Sequence, residues 1–326
     1  MNRVVTGLAL ASAFTLAAAT AQAEELSFAH FAAPTHTLTG SVIEPLAEGV
    51  SADTGGALTV RAYPGGELGK GPLEQYVRVV QGVADIVWGL PGYTSSQFPK
   101  TMIAEMPGVI PDGEPGYPAL WAAMDMIKGE FPATKPLALW TSEPNIFIMK
   151  DKDIRSPEDL KGLKMRVAGA TSAAMIEAFG ATPVQMPAGE IYNALQTGLI
   201  DGVVTGASAV TDFKLSEVAK SYTVGAPLGR LTFYVVMNQA KFDSLTPEMQ
   251  AAIDAHSGEA LSKSAEDAWN RVANETIAGL QADPAKTVIT LSADEAAAFG
   301  AVTEPVTAKV VSEIGGEDVF AVMHGE

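Results

Sequence analysis

The stretch from Asp159 to Gly206, which begins DLKGLKMRVAG and ends YNALQTGLIDGVVTG, constrains the fold more than any other part of the chain. Over Leu163 to Ala168, Leu163, Met165 and Val167 alternate with Lys164, Arg166 and Ala168, the two-residue period of a half-buried strand. Ser156-Pro157-Glu158-Asp159 has the form of a helix start, and Gly162 ends that short helix. After the strand, the small polar turn Gly169 to Ser172 predicts a helix over 173–179. A further helix over 190–197, stopped by Gly198, precedes a strand over 200–204 with Thr205 at its carboxyl end. Arg166 therefore falls near the carboxyl end of a strand in a strand–helix unit, where open α/β sheets bind ligands. A guanidinium there can grip a carboxylate through two parallel hydrogen bonds, and the following helix N-terminus adds N–H groups and partial positive charge. The same spacing also fits a strand arginine paired with a structural acid.

The first part of the chain repeats the pattern. Strands are predicted over 26–31, 58–63 and 84–88. Helices are predicted over 41–52 and over 73–81, the latter with Leu73, Val77 and Val80 inward. This β-α-β-α-β order argues for an α/β class with a largely parallel sheet. A helix over 119–127 and strands over 137–140 and 146–149 follow, and near the last of these the chain is expected to cross into a second domain. Leu231 to Met237 reads as a buried strand returning to the first. Ser292-Ala293-Asp294-Glu295 is a capping box for a late helix.

Composition excludes several classes. The chain has 326 residues, no cysteine and a formal net charge of −17. Without cysteine there is no disulfide, thiol catalysis, Cys-zinc site or lipid-modified cysteine. Strong acidity gives no general attraction to nucleic acid or anionic membranes, so any positive ligand site must be local. Residues 1–23, with a short basic start, an apolar run and Ala21-Gln22-Ala23, have the form of a cleaved signal peptide. The glycine-rich run Gly65 to Gly71 misses the phosphate-loop spacing by one residue and has Gly71 in place of the required Ser or Thr. H-E-x-x-H and G-x-S-x-G are absent, and His30 and His36 have no third metal ligand near them in sequence. His36 is expected to order its loop, or His30 to offer a hydrogen bond inside a cleft. Trp88 and Tyr93, beside Gly89 and Gly92, taken by type alone fit ordinary core and turn aromatics.

The runs LKGLKMRVAG and GATPVQMPAGEIYNALQTGLIDG, with YPGGELG at Tyr63 to Gly69 and QGVADI at Gln81 to Ile86, resemble the solute-binding proteins of TRAP transporters. These are the DctP-like extracytoplasmic receptors of sodium-driven uptake systems, and the resemblance covers essentially the whole chain after the leader. It implies a two-lobed periplasmic binding protein fold with a central cleft. Lobe I would take residues 24–145 plus 231–270 and lobe II residues 146–230 plus 271–326, with a lobe-spanning helix over 262–280. It also implies a monomeric periplasmic receptor, not an enzyme, that needs no cofactor or metal and hands its solute to membrane permease subunits.

In that family the arginine at the place of Arg166 clamps the substrate carboxylate. Trp88, Leu90 and Tyr93 fall where relatives line their pocket. Thr205 stands where relatives hydrogen-bond the substrate, with a hydroxyl in place of an amide. Phe31, His30 and Pro187 are further candidates. The segment Pro144 to Met149 lacks the second basic residue of some relatives, and Tyr93 replaces a basic residue of sialic-acid-binding ones. The expected ligand is thus a monocarboxylate with an apolar or aromatic body. The alternatives are a C4-dicarboxylate or sugar-acid receptor of the same transporter type, a receptor for an ABC-type importer or a sensor, and a secreted enzyme on a bilobal scaffold.

Overall fold

The computed structural model describes residues 23–111 and 113–326. The expected signal peptide lies outside the described residues, apart from Ala23. The strands are β1 (Glu24–Ala29), β2 (Leu58–Tyr63), β3 (Ile86–Gly89), β4 (Thr134–Thr141), β5 (Asn145–Met149) and β6 (Lys164–Val167). They continue with β7 (Thr182–Gln185), β8 (Gly202–Gly206), β9 (Ser221–Val224), β10 (Thr232–Asn238) and β11 (Thr287–Thr290). They form a five-stranded sheet in the order β2-β1-β3-β10-β4 and a six-stranded sheet in the order β11-β9-β5-β8-β6-β7.

Both sheets are mixed, where the sequence pattern predicts largely parallel ones. β1, β2 and β3 pair in parallel, as do β6, β7 and β8. The exceptions are the strands that enter from the other sheet. β10 arrives from the second sheet and runs antiparallel to β3 and β4, and β5 arrives from the first and runs antiparallel to β8 and β9. A strand delivered by a crossing, not by a βαβ connection, is free of the parallel constraint.

The crossings, 142–144 and 225–231, run side by side. Ser142 N–H donates to Leu231 O at 2.7 Å and Asn145 N–H to Gly229 O at 2.8 Å. Gly229 is required there twice over, because its φ is +67° and an added Cβ would lie 1.8 Å from the Glu105 carbonyl oxygen. A third connection is the helix Glu259–Ala282. Leu261, Ala265 and Trp269, at four-residue spacing, join the first sheet's core, and Ala273 and Leu280 join a core of the second. The helix Ala293–Glu313 starts on the expected Ser292/Glu295 capping box and likewise serves both sheets: Phe299 lies in the second sheet's core and Val311 in the first's. Val319 and Met323 of the last helix also pack with the first sheet.

Helix details depart from the sequence pattern in two places. The helix Gln75–Val80 points Tyr76 and Val79 inward, leaving Leu73, Val77 and Val80 at 45%, 50% and 40% exposure. So short a helix gives the hydrophobic period little purchase, and the face is set by Tyr76, whose hydroxyl bonds the Pro132 carbonyl at 2.9 Å. The segment expected as one helix over 119–127 is two, Tyr117–Ala122 and Met124–Ile127, broken at Ala123. No helix among the described residues is long and apolar enough to cross a membrane.

Candidate functional site

β6 carries Arg166 between Met165 and Val167, both of which sit in the second sheet's core. The alternation therefore throws Arg166 to the other face, toward the first sheet. Its side chain is 1% exposed. Nε and Nη2 both donate to the Met186 carbonyl, at 3.0 and 2.9 Å, and Nη2 makes a long contact of 3.5 Å with the Tyr93 hydroxyl. Among the described residues no carboxylate lies within ion-pair distance of it, and no hydrogen bond leaves Nη1. Burial lowers its pKa from the ordinary value, opposed by the Tyr93 hydroxyl beside it. A buried cation that keeps its charge without a counter-ion costs several kcal/mol, so this position favours an anion strongly.

The cavity in front of Arg166 has an aromatic wall. Phe31 stacks on Trp88 with ring centres 4.6 Å apart, Tyr93 meets Phe31 edge-on at 6.0 Å, and Phe233 stacks behind Trp88 at 5.9 Å. Leu90, at the end of β3, and Thr205, near the end of β8, complete this part of the lining. Phe31, Trp88, Leu90, Tyr93, Arg166 and Thr205 thus meet around one cavity. Two other sequence candidates do not reach it. His30 is buried with neither ring nitrogen hydrogen-bonded among the described residues, and burial, then the neighbouring His36, pushes its pKa down to about 4. Pro187 stands one residue short, and it is Ala188 that lines the cavity.

Several lining residues carried no signal in the sequence. Trp269 belongs to the long helix and Phe213 follows the short helix Ser208–Asp212. Their pattern is that of any buried face, and only the meeting of two lobes makes the face a cavity wall. His36 orders its loop as expected, its Nδ1 accepting the Leu38 N–H at 3.1 Å, and it also lines the cavity. That hydrogen bond leaves the proton on Nε2, and burial pushes the ring's pKa down to about 3, so it is neutral. Asp212, the remaining charged group of the lining, faces His36 Nε2 at 3.5 Å and is pushed up to about 6 by burial.

The structure is closed over this cavity. Asp212 Oδ1 accepts the Thr37 N–H at 3.0 Å from across the cleft. Tyr93 Oη accepts the Ala188 N–H at 2.9 Å, Ser95 Oγ accepts the Ala170 N–H at 3.3 Å, and Thr171 Oγ1 donates to Glu105 Oε2 at 2.5 Å. Gly169 makes the approach feasible, since a Cβ there would stand 2.6 Å from Gly92 Cα. About 40 Å³ remains. One water needs about 10–15 Å³ of such space, so a ligand can enter only when the lobes part. A larger concavity of about 820 Å³ lies against the crossings, lined by Glu143, Asn145, Arg230 and Glu304. It is open on one side, has no aromatic wall and does not include Arg166.

Two lobes, a cleft between them and a buried guanidinium lining that cleft define a class, the periplasmic-type binding proteins. Residues 28–314 match the family model DctP, bacterial extracellular solute-binding protein, family 7, and the chain belongs to that family. The C4-dicarboxylate-binding periplasmic protein DctP of Rhodobacter capsulatus is 28% identical over 98% of this chain and 97% of its own length. Among solved structures, a marine metagenome TRAP solute-binding protein specific for aromatic acid ligands, in complex with 3-hydroxybenzoate, is 30% identical with a TM-score of 0.88, over 93% of this chain and 97% of the other. A TRAP solute-binding protein from Rhodoferax ferrireducens with copurified benzoate is 29% identical with a TM-score of 0.84, over 92% and 96%. The chain is a solute-binding receptor of the TRAP type, and its family and structural neighbours are binding proteins of transporters, not enzymes.

Proposed function

We propose that this protein is a non-enzymatic periplasmic receptor that captures an aromatic or otherwise apolar monocarboxylate and delivers it, as a monomer, to a TRAP permease. Residues 1–23 are its cleaved signal peptide. Lobe I (24–145 plus 231–270) and lobe II (146–230 plus 271–326, less the last helix, which packs with lobe I) rotate about the crossings at 142–144 and 225–231. The observation that carries this reading is the buried guanidinium of Arg166, without a carboxylate partner among the described residues, in an aromatic cavity. The ligand carboxylate bridges Arg166 from Nη1 and Nη2, with the Thr205 hydroxyl and the Tyr93 hydroxyl beside it. The ring lies against Phe31 and Trp88, and Leu90 bounds it. His30 and Pro187 act indirectly, by packing and by fixing the loop before Ala188.

A dicarboxylate or sugar-acid ligand, as the names of some relatives suggest, fits less well. Arg166 is the sole Lys or Arg among the described residues lining the cavity. A second carboxylate would be buried without a cation, which costs several kcal/mol. Thermal denaturation across a panel of organic acids tests the reading. Benzoate-like acids are expected to raise the Tm, and succinate and glucuronate to leave it unchanged. The reverse pattern refutes the ligand class while leaving the receptor role intact.

A further inference from the structure

Arg166 and Asp212 line the same small cavity, yet they form no ion pair with each other. Arg166 is held by the Met186 carbonyl and Tyr93, whereas Asp212 is held by Thr37 and His36. The cavity therefore carries two separately held polar groups, one a donor and the other an acceptor. The neighbouring structures include one bound to benzoate, which has no hydroxyl, and one bound to 3-hydroxybenzoate, which has one.

An ionised carboxylate has about four lone-pair sites. Asp212 is offered the Thr37 N–H at 3.0 Å and the Thr37 hydroxyl at 3.0 and 2.9 Å from its two oxygens. That hydroxyl has one proton, so Thr37 fills two sites at most. His36 Nε2 stands at 3.5 Å, too far for a strong bond. No Lys or Arg among the described residues pairs with Asp212. A buried carboxylate with spare acceptor capacity and no cation rewards a hydrogen-bond donor and repels a second anion.

We propose that Asp212 is a specificity-determining residue that accepts a hydrogen bond from a ring hydroxyl, so that the site selects hydroxylated aromatic monocarboxylates and rejects aromatic dicarboxylates. This rests on the reading of Arg166 as the carboxylate clamp. Thr37 and His36 are positioning residues. Thr37 fixes the Asp212 carboxylate from the opposite lobe. His36, kept neutral by the Leu38 N–H on its Nδ1, keeps its remaining N–H on Nε2, turned toward Asp212. Because Thr37 belongs to the other lobe, the acceptor takes up its final position only when the cleft is shut.

Titration calorimetry on the purified protein with benzoate, 3- and 4-hydroxybenzoate, and isophthalate and terephthalate tests the assignment. One hydroxybenzoate is expected to bind about tenfold or more tighter than benzoate, the typical gain from a hydrogen bond to a charged group. The matching dicarboxylate is expected to bind more weakly than benzoate. Asp212→Asn should shrink both differences while retaining benzoate binding, which also shows that the variant is folded. Equal affinity for benzoate and both hydroxybenzoates, or a hydroxyl preference unchanged in Asp212→Asn, overturns the proposal and leaves the clamp standing. Absence of binding by every aromatic acid, in a protein that binds other monocarboxylates, refutes the aromatic class and this inference with it. If Asp212→Asn does not fold, the wild-type series decides alone.

Discussion

The two walls of the cleft are built from different chemistry. The lobe of the first sheet supplies area: Phe31, Trp88 and Tyr93, backed by Phe233 and Trp269 in a continuous aromatic core. The lobe of the second sheet supplies charge: Arg166 on β6 and Asp212 at the end of a short helix, with the Thr205 hydroxyl between neighbouring strands. An apolar wall binds many rings with little discrimination, because dispersion and hydrophobic burial are not directional. A buried charge discriminates sharply, because a wrong partner leaves it unpaired. On the proposed reading, affinity for a ring and choice of its substituents are assigned to opposite lobes, and only the closed state combines them.

The largest expected effect is that of Arg166→Lys. Lysine cannot form the planar fork. Affinity for every carboxylate ligand is expected to fall about a hundredfold, equivalent to ~3 kcal/mol, at the upper end for a charge-assisted hydrogen bond. Calorimetry with wild-type affinity would remove the clamp from the account. Phe31→Ala sharpens the other side. Phe31 is only partly buried, so its removal should spare the fold. It should weaken aromatic acids about tenfold, in line with the ~1.5 kcal/mol upper value for an aromatic pair, and affect a short aliphatic acid little. Equal losses for both ligands would mean that the wall is not reading the ring.

Gly169→Ala acts on the meeting of the lobes and touches neither wall. Gly169 has φ of −157°, so alanine costs nothing in the backbone. Its Cβ, however, would stand 2.6 Å from Gly92 Cα on the opposite lobe, with backbone on both sides and no side chain to yield. The closed population falls, and apparent affinity falls in proportion, by about fivefold for a closed fraction reduced to that extent. The ranking of ligands should not change. A changed ranking would show that closure itself, and not Asp212 or Phe31, sets specificity.

The sequence made the two walls unequally legible. Arg166 could be placed at the carboxyl end of a strand by the alternation of Leu163, Met165 and Val167, but its role as a clamp needed the family resemblance, because the same spacing fits a strand arginine paired with a structural acid. Trp88, Leu90 and Tyr93 needed the family resemblance, since an aromatic in a cavity wall has the same periodicity as one in a core. Asp212 and Trp269 were not legible at all. Each becomes part of the cavity by a contact across 175 residues of chain, in the case of Thr37 with Asp212, or by the helix that joins the lobes. The mixed sheets were missed for a related reason: the direction of β5 and β10 is set by crossings between lobes, and no local pattern encodes it.

A further expected effect, on stability and not on affinity, concerns the proton balance of the interface between the lobes. Glu105 is buried in the first lobe, accepts the Thr232 N–H at 3.2 Å, and meets Thr171 of the second. Burial pushes its pKa up to about 7 from 4.5, opposed by those two hydrogen bonds. In the unfolded chain it loses its proton near 4.5, whereas in the folded protein it keeps it to about 7. Its contribution is therefore fully present below pH 4.5, declines as pH rises, and is lost above about 7. The buried histidines have the opposite sign. His30 and His36, pushed down to about 4 and about 3, destabilise the fold as pH falls below 6.5, where the unfolded chain takes up protons that they refuse. The two trends overlap between pH 4.5 and 6.5, so the wild-type profile alone does not separate them, but a difference between two proteins does. Glu105→Gln keeps the shape of the protonated acid and cannot ionise, so its Tm relative to wild type should climb between pH 5 and pH 8 and then level off. A difference that stays constant across that range would mean that Glu105 is ionised in the folded protein throughout, and that the Thr171 hydroxyl joining the lobes is bound to a charge.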